Sequence, residues 1–377
     1  RRNASVFNSA EFEAGRFIDK TTRKEVSVKI THEEIEELNK QNVTYGKEVD
    51  SEVMDLYVNG YKTVYGIEVP ELDNHYKRKT GELTSFTGYG NMGKSTYWLW
   101  YLTMRAIIFD ERAAIFSPET GSAAEFYFEI IEIFCGSACN KGAYDRPDEE
   151  TFKAASEWVY DHFFCVEPKD ISPTPEVIKE TFLAMIVGKG VKTVVIDPFN
   201  QLSNDYGSAG GRSDKYLETF LADCGRFARQ NGVNFDIVAH PKTPREKDAK
   251  GDYTCPDQFS IADGTMWNNK CDNILVYHRP TGFSDPDSGQ AEIHSKKIRR
   301  QKIVGRKGFV EIYYSRSKRR FLVNNVDHME LAKQKYLSGK KVESGVRPNI
   351  NFFESSQSIV EYSENPYEND PLNPESY

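Results

Sequence analysis

The sequence predicts an α/β fold, with a central, mostly parallel sheet, a helical arm before it and an acidic tail after it. Three observations predict this. The stretch Thr84 to Thr96, TSFTGYGNMGKST, is a short run rich in Thr and Phe, then a glycine-rich turn, then the start of a helical pattern. RAAIFSP ending at Glu119, KTVVID ending at Asp197 and the run Asn234 to Ala239 ending at His240 are short, apolar and closed by a polar side chain. Between these runs lie helical patterns at Phe126 to Phe134, Thr151 to His162, Pro173 to Val187 and Tyr216 to Asn231, the alternation that builds a parallel sheet.

The glycine-rich stretch is a phosphate-binding loop. Gly88, Gly90 and Gly93 let the backbone curl so that its N–H groups face a phosphate, with Asn91, Met92 and Thr96 completing the contact set. Lys94 then reaches the β- and γ-phosphates as a point charge, and the Ser95 hydroxyl is placed to ligate Mg²⁺.

The chain of 377 residues is long enough for one large core with appended segments, and 38% hydrophobic residues, 13% of all residues being aromatic, can fill it. No run of 18 apolar residues occurs, so no membrane span is expected. The first residues, Arg1-Arg2-Asn3, lack both a methionine and an apolar stretch, and they read as neither a signal peptide nor an intact amino terminus. Six cysteines, of which only Cys135 and Cys139 are close, argue against a disulfide framework and fit a reducing cytosol. For this CxxxC pair, buried helical thiols are expected rather than a zinc site, because no further ligands stand nearby.

A net charge of −8 argues against a generally cationic coat, yet charge is segregated along the chain. Lys296 to Arg320 holds eleven Lys or Arg and one acid, Glu311, whereas Asn351 to Tyr377 holds six acids and no base. Eleven cations in such a stretch are expected to face phosphate or solvent rather than a core.

Taken in order, residues 1–63 form a polar linker or arm with one helical candidate, Thr31 to Lys40. Thr31 caps it and Glu34 completes a capping box, so it is either a solvated helix or an arm packing on a neighbouring subunit. Residues 64–343 form the ATPase domain. Val64 to Asp73 is a mixed strand and turn, leading to the basic HYKRKTGE. The helix after the phosphate loop presents Trp98, Leu99, Leu102 and Ile107. Glu119, at a strand's carboxyl end, either activates the attacking water or caps the helix starting near Ser122. Asp197 has the position of a Walker B acid, holding Mg²⁺ opposite Ser95. His240 is either a satisfied core histidine or a γ-phosphate sensor. The loop behind it, HPKTPREKDAKGDY, carries Lys242, Arg245, Lys247 and Lys250, which are either solvated or in contact with a phosphodiester backbone. A strand at Asn273 to His278 precedes Arg279, and SKKIRRQKIVGRKGFVEIYY reads as a hairpin turning at Gly305 to Gly308. Residues 344–377 form an acidic tail that is expected to be disordered.

The strings GELTSFTGYGNMGKST, the strand ending at Glu119, VVIDPFNQL, the strand ending at His240 and KKIRRQKIVGRKG resemble the RecA-like hexameric replicative helicases of the DnaB-like kind, including the mitochondrial helicase and the fused primase–helicases of phages. The resemblance covers roughly Val64 to Val323. It implies a RecA-like P-loop NTPase core, ATP or another NTP or dNTP with Mg²⁺, and a homo-oligomeric, hexameric ring on single-stranded and forked DNA. It further implies that Lys94, Glu119 and His240 serve hydrolysis, that Ser95 and Asp197 hold the metal, and that Arg279 and Tyr314 flank the nucleotide base. Lys242, Arg245, Lys247 and Lys250 fall where the family's DNA loop lies. The arginine finger maps to Arg300, or to Lys302 in the alternative register. An upstream primase, a polymerase partner for the acidic tail, and a cytoplasmic or mitochondrial-matrix setting are the associated expectations. Two other classes share these residues: a RecA- or RadA-like recombinase filament, and an ATP-binding loader or scaffold without motor activity.

Overall fold

The computed structural model describes residues 46–338 except 170–172, 205, 208–209, 243–246 and 262–263, together with 12–18, 25–31 and residues 33, 34, 36, 37, 40, 43 and 44. Arg245 and the acidic tail 344–377 lie outside the described residues. The chain forms two compact units, Arg1–Lys62 and Thr63–Tyr377.

The first unit contains an antiparallel pair that the sequence reading did not anticipate, β1 (Phe12–Ile18) with β2 (Glu25–Ile30). Its signal, the alternation Val26, Val28, Ile30, is short and set among polar residues. The described residues 33, 34, 36, 37 and 40 are helical, and the capping box is present: Glu34 N–H donates to Thr31 Oγ1 (3.2 Å), and Thr31 N–H donates to Glu34 Oε2 (2.8 Å). A helix that the sequence reading missed, α1 (Asp50–Asn59), follows and buries none of its residues.

The second unit is built on a nine-stranded sheet. Its strands, with the elements that connect them, run in chain order. A short β3 (Val64–Tyr65), a single helical turn α2 (Pro70–Asp73) and β4 (Arg78–Lys79) lead into β5 (Leu83–Thr87). Then come α3 (Lys94–Phe109), β6 (Ala113–Phe116), α4 (Ala123–Cys135), α5 (Glu149–His162), β7 (Phe163–Cys165), α6 (Pro175–Lys189), β8 (Thr193–Ile196), α7 (Ser213–Asn231) and β9 (Asn234–Ala239). The remaining described elements are α8 (Gly264–Lys270), β10 (Asn273–His278), β11 (Gln290–Ile298), β12 (Gly308–Ser315), β13 (Arg320–Leu322) and α9 (His328–Tyr336). The spatial order is β13-β12-β11-β10-β5-β9-β8-β6-β7. Strands from β10 to β7 pair in parallel, and β11, β12 and β13 add an antiparallel wing.

Strands buried on both faces read as continuous apolar runs. Val195, Val238 and Phe86 point to one core, shared with α3 and α4; Val194, Ile196, Phe235 and Ile237 point to a second, shared with α6, α7 and α8. Helix α3 carries more than the expected apolar face: Tyr97, Trp100, Tyr101 and Met104 are buried as well as Trp98, Leu99, Leu102 and Ile107. A helix apolar on all sides is one enclosed on all sides, and the same core cluster includes residues of β13 and α9, such as Phe321 and Met329.

The basic stretch departs from expectation in two ways. Its strands end at Ile298 and begin at Gly308, so nine residues separate them rather than a Gly305–Gly308 turn. Several of its cations serve the fold. Arg320, 1% exposed, donates to the carbonyls of Ile133 (2.7 Å) and Phe134 (2.5 Å) at the end of α4 and to Asp327 and Glu330 (3.1 Å each). Lys297 donates to the carbonyls of Asn268 and Cys271, and Arg299 pairs with Asp272 at 2.8 Å. Helix C-termini present unpaired carbonyls that attract cations, which is what recruits Arg320 away from phosphate or solvent.

One more charge pair lies between α3 and the sheet. Arg78 Nη2 donates to Asp236 Oδ1 at 2.6 Å, both side chains fully buried, and Trp98 Nε1–H donates to Asp236 Oδ2 at 3.1 Å. Removing one partner of such a pair strands a buried charge. Asp236→Ala should lower stability by about 3–5 kcal/mol, whereas Arg78→Met combined with Asp236→Leu should be nearly neutral. Urea midpoints of the three proteins check this; a double variant no more stable than Asp236→Ala would count against the assignment.

Candidate functional site

The carboxyl ends of β5 and β9 lie level with each other, and those of β8 and β6 lie level with each other, opposite Ile237, two residues short of the end of β9. Thr87 pairs with Ala239, Ile237 with Ile196, and Ile196 with Phe116 of β6. The Thr87 hydroxyl donates to the Ala239 carbonyl at 2.6 Å, tying the start of the phosphate loop to the strand that ends at His240. Residues leaving these strands therefore share one edge of the sheet, the edge at which α/β folds bind ligands.

The loop curls by a different set of residues than its glycines alone suggest. Left-handed backbone occurs at Asn91 (φ 57°) and Gly93 (φ 94°). Gly88 is required for close approach, since a Cβ there would lie 2.5 Å from the Tyr277 carbonyl oxygen. Gly90 has neither constraint: a Cβ there would meet nothing within 4 Å. Helix α3 starts at Lys94 without a side-chain cap and without an acid in its first turn, so its N–H groups are free for an anion.

Lys94 is 6% exposed, and burial pulls its ammonium below the usual range while Asp197 and Glu119 oppose that pull. Asp197, one residue past β8, is 8% exposed. Burial raises its carboxyl above the usual range, against a hydrogen bond with the Ser95 hydroxyl and the Lys94 charge. Glu119 sits on a 3₁₀ turn, Pro118–Thr120, three residues past β6. The helix cap near it is made by others: Ser122 and Glu125 form a reciprocal capping box at the start of α4, which leaves Glu119 free of that task. Glu119 Oε1 accepts from Gln201 Nε2 at 2.9 Å, and Oε2 lies 3.9 Å from His240 Nε2. Burial, then Lys94, hold the His240 imidazole below its usual range, with Glu119 opposing.

These groups fit a magnesium-bound nucleotide phosphate. Left-handed Asn91 and Gly93 open the backbone N–H groups, Lys94 supplies a fixed cation, and the Ser95 hydroxyl beside the Asp197 carboxylate offers the hard oxygen donors Mg²⁺ takes.

Beside the loop lies a cavity of about 230 Å³ lined by Asn91, Met92, Gly93, Thr96, Tyr277, Arg279, Tyr314 and Arg316 among others. The structure thus brings Arg279 and Tyr314 to one pocket with the phosphate loop. Arg279 Nη2 is held by the carbonyls of Pro286 (2.9 Å) and Ser288 (2.5 Å), which fixes its guanidinium at the wall.

Sequence reasoning missed four contributors. Gln201 stands four residues beyond Asp197 within VVIDPFNQL, a signal available but not used. Glu129 of α4 accepts from the Thr96 hydroxyl at 2.7 Å, and Tyr277 and Arg316 complete the cavity; only tertiary packing assembles these. Other expected residues lie apart from this edge. Arg300 and Lys302 follow β11 at the amino end of β5, where Arg300 Nε is 3.4 Å from Glu82 Oε1. Lys242, Lys247 and Lys250 are exposed in the loop after β9, and Lys242 N–H donates to the Ser260 carbonyl at 2.7 Å.

No family model matches the chain. A Twinkle homolog protein, chloroplastic/mitochondrial, of Arabidopsis thaliana is 25% identical over 278 residues, which is 72% of this chain; the chain spans 38% of that protein's length. Among solved structures, an ATPase domain superposes with a TM-score of 0.58 at 15% identity, covering 73% of this chain and 98% of that one. A DnaB-like replicative helicase, described with its interactions with primase, superposes with a TM-score of 0.56 at 16% identity, covering 77% and 70%. The fold is that of RecA-like helicase ATPase domains.

The charges around His240 generate a titration test. Its NMR midpoint should lie below 6.5, rise in Lys94→Ala, which removes a repelling cation, and fall further in Glu119→Gln, which removes an attracting anion. A midpoint indifferent to both substitutions would place His240 outside this cluster.

Proposed function

We propose that this relative of the DnaB-like, RecA-fold helicases is an NTP-hydrolysing replicative DNA helicase, which moves along single-stranded DNA and opens duplex ahead of it. The observation that carries the reading is the meeting of Lys94, the Ser95–Asp197 pair, Glu119 and His240 at one sheet edge.

Each group has a role set by its chemistry. Lys94 neutralises phosphate charge from a dry position where a cation acts strongly. Ser95 and Asp197 would hold Mg²⁺, which would supply positive charge to offset that of the phosphates. Glu119 takes the proton of the attacking water; Gln201, bonded to one carboxylate oxygen, fixes the other toward that task. His240, neutral beside Glu119, senses the γ-phosphate and passes its presence to the loop behind it. Lys242, Arg245, Lys247 and Lys250 of that loop contact the single strand's backbone. Arg279 and Tyr314 flank the base.

Arg300, with Lys302 as the alternative register, acts on the nucleotide of a neighbouring subunit. The distance of both from their own Lys94 edge supports action between chains. A hexameric ring, as the sequence resemblance implies, satisfies that need, with forked DNA as its substrate and a primase or polymerase as associated partners.

Two measurements test the reading. Glu119→Gln should bind nucleotide like the parent yet hydrolyse it about 10²–10⁴-fold more slowly, with loss of fork unwinding, whereas Lys94→Ala should lose binding as well. Near-normal turnover by Glu119→Gln would remove it from the role of base. Mixing inactive Arg300→Ala subunits with Lys94→Ala subunits should restore partial hydrolysis, because some interfaces then pair an intact loop with an intact finger. A mixture that stays inactive despite demonstrated exchange would move the finger elsewhere.

A further inference from the structure

The far end of the cationic loop is fastened at a point the scheme above leaves without a task. Asp248 Oδ1 accepts from the N–H groups of Lys250 (2.8 Å) and Asp252 (2.9 Å), and the Asp248 N–H donates to the Asp252 carbonyl (2.8 Å), which closes residues 248–252 into a turn. The Asp252 carboxylate, 2% exposed, then accepts from the Phe283 N–H (2.8 Å), the Ser284 N–H (3.1 Å) and the Ser284 hydroxyl. The next residue, Tyr253, packs edge-on to Phe283 at 5.0 Å and against Tyr89 at 5.2 Å, and the Tyr89 hydroxyl donates to the Thr254 carbonyl at 2.9 Å. Above these rings the Lys247 ammonium lies 4.5 Å from the Phe283 centroid and 4.9 Å from that of Tyr253.

Tyr89 stands between Gly88 and Gly90 of the phosphate loop. Phe283 belongs to the segment that leaves Arg279, and its neighbour Gly282 is tight against the base pocket: a Cβ there would lie 2.8 Å from Met92 Sδ and 3.0 Å from Arg279 Cβ. Three segments therefore meet in one aromatic cluster: the phosphate loop, the segment after Arg279, and the end of the cationic loop opposite His240.

We propose that the Tyr89–Tyr253–Phe283 cluster is a second coupling element, which transmits the state of the phosphate loop and base pocket to the cationic loop from the end opposite His240, with Tyr253 as its positioning residue. This rests on the reading of the loop as a single-strand contact and of the phosphate loop as a nucleotide site. Packed rings do not deform continuously, so a displacement of the backbone around Tyr89 moves Tyr253 as a body. The Asp248 carboxylate closes the segment 248–252 and the Asp252 carboxylate fastens its end to Phe283 and Ser284, so the segment can carry that movement to Lys247, whose charge is held over ring faces by cation–π attraction. His240 alone would fix only the start of the loop; the cluster fixes its other end.

The test uses the full chain and a fluorescent oligo-dT, with its dissociation constant measured in ADP and in a non-hydrolysable NTP analogue. The ratio of the two constants is the coupling. Tyr253→Ala should bring the ratio toward one by at least about fivefold, while nucleotide affinity without DNA and basal hydrolysis stay within about twofold of the parent. Tyr253→Phe keeps the ring and should keep the ratio; Phe283→Ala provides a second disruption should Tyr253→Ala fail to fold. A parental ratio in Tyr253→Ala or in Phe283→Ala overturns this inference alone, as does a Tyr253→Phe protein as uncoupled as Tyr253→Ala. A parent protein whose oligo-dT affinity ignores the nucleotide overturns both this inference and the functional reading beneath it.

Discussion

The parallel pairing of β5 with β9 is the constraint on which the candidate site depends. With Thr87 level with Ala239, and the Thr87 hydroxyl bonded to the Ala239 carbonyl, the phosphate loop and His240 leave the sheet side by side. The register of β9 with β8 and of β8 with β6 then places Asp197 and the turn bearing Glu119 on the same edge. A slip of one residue in any of these pairings would turn the strand's side chains to the opposite face and exchange its contacts between the two cores. The site is thus held by apolar packing well away from the reacting groups.

Burial gives this edge its chemistry. Lys94 and Asp197 are both drawn toward their neutral forms by the loss of water; Asp197 is the main charge opposing this at Lys94, while at Asp197 the Ser95 hydrogen bond opposes it first and the Lys94 charge second. Charges held in this way are oriented before any ligand arrives, and need little reorganisation when phosphate takes its place beside them. His240 occupies the same field at the periphery, half-exposed, where Lys94 and Glu119 act on it in opposite senses. The cationic loop begins at this histidine, so the electrostatics of the edge and the position of the loop are linked through one residue.

Much of this was legible in the sequence where the cause is local. The phosphate loop, the apolar runs that became β6, β8, β9 and β10, and the capping box of Thr31 and Glu34 all arise from neighbouring residues acting on one another. Relations between distant segments were not legible. Nothing in the basic stretch from Lys296 to Arg320 distinguishes a cation destined for solvent from one that closes a helix end, yet Lys297 and Arg299 bind carbonyls at the carboxyl end of α8, and Arg320 does so at the end of α4. Glu129 escaped notice for the same reason, since a carboxylate on a helix is ordinary until a fold sets it against Thr96. The β1–β2 pair was missed because its alternation is brief and lies in a polar context.

The enclosure of α3 has an optical consequence. The helix that opens with Lys94 carries Trp98 and Trp100, two of the chain's four tryptophans, each at most 2% exposed. Indoles shielded from water emit at shorter wavelengths than solvated ones. Trp98 in addition stacks on Phe86 at 4.7 Å and on Tyr101 at 5.1 Å, and donates its N–H to Asp236. Its emission therefore depends on a strand of the central sheet, on the helix that begins at the phosphate loop and on the Arg78–Asp236 pair at once. The protein contains a native fluorophore one helical turn from its candidate phosphate lysine, in a position to register strain in that helix without any added label.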